Sequence, residues 1–339
     1  MVAELPAGRP TVYDVARVAG VSIKTVSRVV NRAPGVSDKT RNVVLDVIKE
    51  LGYVVNPAAR SLVTGNSSTI GVIVDSIADP FFASLVSLVE VTALAAGFST
   101  QVASTWRDPQ RERDQLLRMT GENVRGLMLA PTMGNHGYFD VTVKDVPAVL
   151  VDRGWPGSGL DMVGVNDRAG ARVAVEQLLS FGHRRIAFLG DHSELTTTVH
   201  RREGYLAALD AAGVRVEKEL DRGSLAMEDP GGTAVNELLA LDDPPTALFS
   251  SNARTSLGAV RALHRAGRTD VALISFGDFD LADALQPGIT VVDHDPALIA
   301  AAAVERLLAR IGGTDLVPAE ILLPTPLVKR GSGELPCRR

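Results

Sequence analysis

A basic pair lies in the segment 21–31, VSIKTVSRVVN. Lys24 and Arg28 are four residues apart, so a helix places them on one face, with Ile23 beside them. Lysine and arginine donate to guanine O6 and N7 in a DNA major groove, and isoleucine can cover a thymine methyl group. Most exposed basic pairs are only solvated helix faces, however. The spacing by itself therefore favours solvation.

The charge of the chain is distributed unevenly. The first 62 residues contain nine basic and five acidic residues, a net charge of +4, whereas the whole chain carries -5 and the remainder therefore -9. We call the first 62 residues the head and the remainder the body. A basic head on an acidic body indicates that the head binds a polyanion. In that setting, hydroxyl and amide side chains around the pair would bond phosphate oxygens. We predict this role for Thr11, Ser22, Thr25, Ser27 and Asn31.

Three short helices are predicted to position the basic pair. Thr11 and Asp14 match a Ser/Thr-x-x-acid helix start, and Gly20 permits a sharp turn after the first helix. Ser22 is suited to cap the second helix and Ser37 the third. The buried stripes are expected from Val26, Val29 and Val30 and from Val43, Val44, Val47, Ile48 and Leu51. A helix, a glycine turn and a second helix predict a helix-turn-helix.

The segment 56–65, NPAARSLVTG, predicts a helix of barely two turns. Asn56 is a suitable cap, Pro57 fits the first helical position, and Gly65 ends the segment. An isolated helix needs about 12–15 residues to be stable in water. Leu62 has no core to enter within so short a helix. It either rests on a neighbouring domain or acts as an apolar wedge between base pairs in a minor groove, and the spacing favours neither.

The rest of the chain alternates between apolar strands and helices, which predicts parallel sheets. The strands of one half are STIGVIVDS, FSTQVAST, VRGLMLAP and VPAVLVDR; those of the second half are DMVGVND, RRIAFLG, TALFSS and VALISFG. Ligands of such sheets bind beyond the carboxyl ends of the strands. Two facing, doubly wound halves therefore predict a cleft with strand-end residues as its walls.

The side chains at these strand ends suit a small polyhydroxylated ligand, because rings can stack on its CH face while polar groups bond its hydroxyls. The candidates are Asp79, Phe81, Phe82, Trp106, Asp152, Arg153, Arg201, Asn252 and Asp278. Phe81 or Phe82 is equally compatible with a place in the core. Asp79 is equally compatible with a cap on the helix that follows Pro80.

Motifs of common enzymes are absent from the sequence. It has no G-x-G-x-x-G after a strand, no phosphate-binding loop, no G-x-S-x-G and no His or Cys cluster, so we expect neither enzymatic activity nor a cofactor. The single cysteine, Cys337, excludes an internal disulfide and a cysteine-based metal site.

The alternative class is an exported solute receptor, which would need a signal peptide. The first residues, MVAELPAGRPTVYD, lack the apolar stretch of such a signal, and no apolar run approaches the roughly 18 residues that span a bilayer. A basic head would also have no use outside the cell. We therefore expect a cytoplasmic, nucleoid-associated protein without a membrane partner.

The runs TVYDVARVAGVSIKTVSRVVN, VSDKTR and ELGYVVNPAARSL resemble the head and hinge of the lactose repressor (LacI/GalR) family of bacterial transcription regulators. DPFF, GHRRIAFLG, REGYLAAL, SSN, LGAVRAL and PTPLVKRGS extend the resemblance over nearly all of the chain. The resemblance implies a repressor that binds a palindromic operator as a homodimer and is released by a small effector, usually a sugar. A nucleobase acting as co-repressor is the alternative effector.

The resemblance also implies which residues meet DNA. Ile23, Lys24 and Arg28 match the base-reading positions of the family. Leu62 matches a leucine that paired hinge helices insert into operator DNA, which favours the wedge over the alternative. Asn56 and Ala59, in the same hinge, complete the predicted DNA interface.

Effector-binding positions follow from the same resemblance. Asp152, Arg201 and Asn252 match positions that hold effectors in the family. Gly277 stands where many members have an aspartate, so we assign that role to the next residue, Asp278.

The sequence thus predicts an α/β protein with three parts: a helix-turn-helix head at 1–55, a hinge helix at 56–65, and a two-lobed, periplasmic-binding-protein-like body at 66–339. We assign the N-lobe to about 66–158 and 292–318, and the C-lobe to about 159–291 and 319–331. In the family the chain crosses back between the lobes near TVVDHD and AEILLP. The tail GSGELPCRR has no heptad repeat, so a helical tetramerisation tail is not expected.

Overall fold

The computed structural model describes residues 10–30, 33–53, 67–143, 146–223 and 230–337. The chain divides into two compact units, Met1–Ser67 and Ser68–Arg339. The described part of the first unit is helical, and the second unit is built on two six-stranded sheets. The predicted hinge, 56–65, lies outside the described residues.

Three helices form the described part of the first unit: α1 (Val12–Ala19), α2 (Ile23–Val30) and α3 (Asp38–Leu51). The Thr11 hydroxyl accepts a hydrogen bond from the backbone N–H of Asp14 at 3.4 Å, and the Thr11 N–H donates to the Asp14 carboxylate at 2.9 Å. Gly20 ends α1 with φ 65°, a left-handed conformation that glycine adopts without strain. Ser22 accepts from the Thr25 N–H at 3.1 Å at the start of α2. These local contacts set the sharp turn between α1 and α2.

A small valine-rich core joins the three helices. Its buried members are Val15, Ala16, Val26, Val29, Val44 and Val47. Burying a valine side chain stabilises a fold by about 1.5–3 kcal/mol, so few such residues suffice to fix a short unit. The prediction for Val43 was wrong, because its side chain is 42% exposed. Each helical residue turns about 100° from the last, and α1 and α2 cover only the stripe through Val44 and Val47.

The first lobe of the second unit begins at residue 68. Its elements are β1 (Thr69–Val74), α4 (Pro80–Ala95), β2 (Ser99–Ser104), α5 (Pro109–Gly121), β3 (Gly126–Leu129), α6 (Phe139–Val143), β4 (Ala148–Asp152) and β5 (Asp161–Val165). The sheet has the order β11-β5-β4-β3-β1-β2, and its strands pair in parallel; β11 (Glu320–Leu323) arrives from late in the chain. Leu127, Met128 and Leu129 of β3 are fully buried at its centre.

The second lobe repeats the same design. Its elements are α7 (Asp167–Ser180), β6 (Ile186–Leu189), α8 (Thr196–Ala211), β7 (Asp221–Arg222), α9 (Gly232–Leu239), β8 (Ala247–Ser250), α10 (Ala253–Arg265), β9 (Ala272–Phe276), β10 (Thr290–Val292) and β12 (Leu327–Val328). The sheet order is β12-β10-β9-β8-β6-β7, with only the described β12 antiparallel to its neighbour. This architecture confirms the predicted α/β class with two doubly wound lobes.

The predicted lobe boundaries need correction at two strands. β5 pairs with β4 through Leu150 and Met162, so it belongs to the first lobe rather than opening the second. β11 pairs with β5 and also lies in the first sheet, not in the C-lobe. The helix between β10 and β11, α11 (Pro296–Ile311), packs on α4 and β4 of the first lobe. The alternation of strands and helices gives their order along the chain, but hydrogen-bond pairing decides which sheet each strand joins.

Close packing between α7 and α8 positions one predicted site residue. A Cβ atom on Gly204 would lie 2.4 Å from the Arg168 carbonyl oxygen, so only glycine permits this approach of the helices. The approach brings Arg201 of α8 to Asp167 of α7, with 2.7 Å between Nε and Oδ1. In the part of the chain that the structure describes, no helix has the length and apolar character needed to cross a bilayer.

Candidate DNA-binding surface and effector cleft

The outer face of α2 carries the predicted base-reading residues. Lys24 and Arg28 are exposed, Ile23 is 41% exposed, and Val26 and Val29 on the opposite face are buried. Neither Lys24 nor Arg28 makes an ion pair with a residue that the structure describes. Both cationic groups are therefore exposed on the surface of the described part of the head.

Polar residues predicted to bond phosphates surround this face. Ser22 is exposed and Thr25 and Ser27 are partly exposed; the Ser22 and Thr25 hydroxyls lie 2.9 Å apart. The Thr11 hydroxyl donates to the Asp14 carboxylate at 2.7 Å, so this group serves first to hold the start of α1. Asn31, Asn56, Ala59 and Leu62 lie outside the described residues, and their roles stay predictions.

Tyr13 is a surface residue that the sequence reasoning missed. Its side chain is 69% exposed on α1, whereas Val15 and Ala16 of the same helix are buried. An exposed phenol in a basic head is suited to a phosphate oxygen. The sequence could have indicated this exposure, because Tyr13 lies one residue after the start of α1 and opposite the buried stripe.

The second candidate site lies between the two lobes of the second unit. A cavity of about 40 Å³ is lined by strand-end residues of both sheets. Seven of the predicted effector residues line it: Asp79, Phe81, Phe82, Asp152, Arg153, Arg201 and Asn252. The cavity is also lined by eight residues that were not among the predicted set: Asp75, Arg107, Asp191, Leu195, Thr197, Thr198, Ala253 and His294.

Two predicted effector residues lie elsewhere. The Trp106 side chain is 48% exposed and does not line the cavity, while the next residue, Arg107, does. Asp278 forms a two-pronged ion pair with Arg330, at 2.7 Å and 2.5 Å, outside this cavity. That pairing lowers the pKa of Asp278. One residue after Gly277, the carboxylate therefore lies outside this cavity and lines a neighbouring pocket with Phe81 and His294.

Arg153 anchors the charged network of the first lobe. Its guanidinium donates to the Pro131 carbonyl oxygen at 2.6 Å, to Asp152 at 2.6 Å and to Asp75 at 2.5 Å. Burial disfavours its charge, but the two carboxylates outweigh this effect and raise the pKa of Arg153. The guanidinium is thus held as a permanent cation, 5.9 Å from the centre of the Phe82 ring.

Arg201 has an equivalent position in the second lobe. It donates to Asp167 and, at 2.6 Å, to the Ser251 carbonyl oxygen, and its guanidinium lies 3.8 Å from the Phe276 ring centre. Desolvation raises the pKa of Asp167 to about 6, although Arg201 opposes the shift. These contacts fix the guanidinium plane at the cleft wall.

Asn252 and Asp79 show that a residue can cap a helix and line the cleft. Asn252 accepts from the Thr255 N–H at 2.8 Å at the start of α10 and donates to Asp191 at 2.9 Å. Asp79 accepts from the Phe81 N–H at 3.0 Å at the start of α4. Desolvation raises the pKa of Asp79 to about 6. Helix capping and ligand contact were alternatives in the sequence, but this geometry permits both.

An aromatic wall closes one side of the cavity. Phe81 stacks on His294 with 4.4 Å between ring centres. Desolvation lowers the pKa of His294 to about 3, so the ring is neutral. Gly277 has φ 91°, and a Cβ there would lie 2.5 Å from the His294 ring. The absence of a side chain at Gly277 therefore makes room for His294.

The residues that the structure describes include no cluster of three His, Cys, Asp or Glu side chains able to hold a metal ion.

A helix-turn-helix head joined to a two-lobed, binding-protein-like body defines a DNA-binding transcription regulator that responds to a ligand. Two family models match the chain: "Bacterial regulatory proteins, lacI family" at residues 11–56 and "Periplasmic binding protein-like domain" at residues 175–333.

Known proteins resemble the chain along nearly its whole length. The HTH-type transcriptional repressor PurR of Mannheimia succiniciproducens is 31% identical over 95% of this chain and 98% of its own length. A complex of the transcriptional regulator CelR with cellobiose is 31% identical, with a TM-score of 0.71 over 96% of this chain and 100% of that one. A lac repressor dimer bound to operator and an anti-inducer is 28% identical, with a TM-score of 0.86 over 96% and 99%. The chain belongs to the LacI family of bacterial regulatory proteins.

Proposed function

We propose that this protein is a repressor that binds a palindromic operator as a homodimer and is released by a small, uncharged, polyhydroxylated effector. It would act in the cytoplasm, at the nucleoid, because its main partner is chromosomal DNA. The observation that carries the proposal is the exposed basic face of α2, with Lys24 and Arg28, on a helix-turn-helix. Two heads would lie in successive major grooves, roughly 34 Å apart.

An exposed apolar face supports the homodimer. Val91 and Leu94, about one turn apart on α4, are 66% and 67% exposed. Exposed apolar patches of this kind mark association surfaces. A two-fold dimer would present two identical heads to a palindrome.

The charges of the cleft favour an uncharged effector. Four carboxylates line the cavity, from Asp75, Asp79, Asp152 and Asp191, against three arginines. Asp79 makes no ion pair with a described residue and supplies the excess negative charge. An anionic ligand would face this excess, whereas sugar hydroxyls can donate to carboxylates and accept from arginines. Phe81 and His294 offer a flat apolar surface to the CH face of a sugar ring.

The experiment combines a ligand screen with an operator assay. Thermal unfolding of the full chain would be measured with glucose, galactose, ribose and cellobiose, with adenine and guanine, and with glucose 6-phosphate. Fluorescence anisotropy would then follow binding to a palindromic and to a scrambled duplex, with and without each stabilising compound. We expect a neutral sugar to raise the midpoint of unfolding and to weaken palindrome binding.

The other outcomes distinguish the alternatives. A nucleobase that stabilises the protein and strengthens palindrome binding would replace the sugar by a co-repressor. Stabilisation by sugar with equal affinity for both duplexes would indicate a solute receptor instead of a repressor. Stabilisation by glucose 6-phosphate but not by glucose would contradict the charge argument.

A further inference from the structure

One ion pair joins the two lobes across the cleft. Arg107 follows β2 in the first lobe, and Asp191 follows β6 in the second. Both terminal nitrogens of the Arg107 guanidinium donate to the two oxygens of the Asp191 carboxylate, with 2.6 Å between Nη2 and Oδ2. The side chains are only 11% and 13% exposed. A two-pronged, largely desolvated pair is the strongest form of this interaction.

Further hydrogen bonds extend this pair into each lobe. In the first lobe, Arg107 Nε lies 3.3 Å from Asp75, which in turn accepts from Arg153. In the second lobe, the Asn252 amide donates to Asp191. A continuous chain of charge-assisted bonds thus runs from one lobe to the other. Its members all line the candidate effector cavity.

The pair occupies the space that an effector would need. The remaining cavity of about 40 Å³ has room for only a few water molecules. Ligand pockets usually measure about 300–1,000 Å³. A sugar therefore does not fit in this cavity while Arg107 and Asp191 remain in contact.

The backbone directs Arg107 into this position. Trp106 and Arg107 both have left-handed conformations, with φ 56° and φ 62°. Residues other than glycine rarely adopt this region, and two in succession require support from their surroundings. The arrangement leaves the Trp106 side chain half exposed and places Arg107 in the cleft.

We propose that Arg107 and Asp191 are effector-reading residues that pair with each other when the cleft is empty. Their ion pair keeps the free lobes closed, and the effector binds by replacing it, with hydroxyls that accept from Arg107 and donate to Asp191. An effector must therefore bind with enough free energy to compensate for the loss of this ion pair. This inference rests on the proposed function in its use of a hydroxyl-bearing effector, but lobe closure in the free protein can be tested without any ligand.

The test measures the distance between the lobes in the full chain, without effector or DNA. Spin labels are placed at the exposed positions Arg118 of α5 and Arg261 of α10, as cysteines in a Cys337→Ser background. The labelled protein is mixed with excess unlabelled protein, so that distances between labels on different subunits do not contribute to the signal. Pulsed dipolar spectroscopy should give one predominant short distance for the parent protein. Arg107→Gln and Asp191→Asn should each shift most of the population to longer distances.

A matched control and a double variant make the test specific. Arg111→Gln removes an arginine that pairs with Asp108 inside the first lobe, and it should leave the distances unchanged. Arg107→Gln combined with Asp191→Asn should shift the distances no further than either single change, because both remove the same contact. Circular dichroism checks that each variant is folded.

Unchanged distances in both single variants would overturn the proposal, as would an open parent protein or an equal shift caused by Arg111→Gln. Because no effector is present, these results do not depend on the sugar screen. A protein that binds no sugar can still show the closing ion pair, and a sugar-binding repressor can still lack it.

Discussion

Lys24 and Arg28 are exposed because the apolar residues around them are turned inward. Val26 and Val29 are buried in the three-helix core and fix the rotation of α2 about its axis. The basic side chains then lie on the outer face with Ile23. The helical period of 3.6 residues predicts this separation into a buried valine face and an exposed basic face, because it depends only on residues within α2.

Arg28→Ala tests direct base reading at the residue scale. The loss of an arginine that contacts guanine should cost about 1–3 kcal/mol of operator binding and relax specificity at one base pair in each half-site. Anisotropy titrations with the palindrome and its single-base variants measure both effects. Lys49→Ala, which removes an exposed lysine from α3, is the matched control and should have a smaller effect. An equal loss on all duplexes would show that Arg28 binds phosphate only.

The helices of the first unit begin and end where local signals place them. Ser37 accepts from the Thr40 N–H at 3.3 Å, and Gly52 ends α3 with φ 63°. The predicted hinge helix of barely two turns is too short to be stable alone, so its stability would have to come from a partner. We propose that the paired hinges form on operator DNA, where Leu62 enters the minor groove.

Leu62→Ala tests the hinge at the scale of one element. Loss of the wedge should weaken operator binding by about 1.5–3 kcal/mol for each buried leucine and reduce the bending of the duplex. Anisotropy gives the affinity, and energy transfer between dyes at the two duplex ends gives the bend. Leu45→Ala, a change at an exposed leucine of α3, serves as the control. Weaker binding with an unchanged bend would mean that Leu62 rests on protein instead.

At the scale of the whole molecule, the two units carry opposite charge. A basic head can approach DNA while the acidic body is repelled, which favours contact through the head alone. The body retains the charges it needs at the cleft, where Arg107, Arg153 and Arg201 are balanced by carboxylates. Under the proposed function, separate charge on separate units would let one chain bind a polyanion and an uncharged ligand.

Operator binding should therefore depend steeply on salt. If the two heads make 6–10 phosphate contacts, affinity should fall by roughly 10³–10⁵ between 50 and 200 mM salt, because bound counterions are released. Anisotropy titrations over a series of salt concentrations give the slope. A scrambled duplex should show a similar slope at lower affinity. An affinity that does not change with salt would contradict the role of the basic head.

The amino-acid sequence by itself determined the features that depend on near neighbours. Caps, glycine turns and helical spacing are local, so they fixed the helix-turn-helix and its outward basic face. Alternation of strands and helices predicted the two doubly wound lobes. The rule that ligands bind at the carboxyl ends of strands predicted seven residues of the cavity, from Asp79 to Asn252.

Tertiary structure decided what depends on contacts distant in sequence. β5 and β11 join the first sheet because they pair with β4 and with each other, which no local pattern records. Asp278 lies outside the cavity and pairs with Arg330, 52 residues later. Arg107 and Asp191 are 84 residues apart, and only the folding of two separate lobes brings them together. The spacing of residues along the chain cannot reveal such a pair, because the distance between the two charges depends on how the lobes fold and not on their separation in sequence.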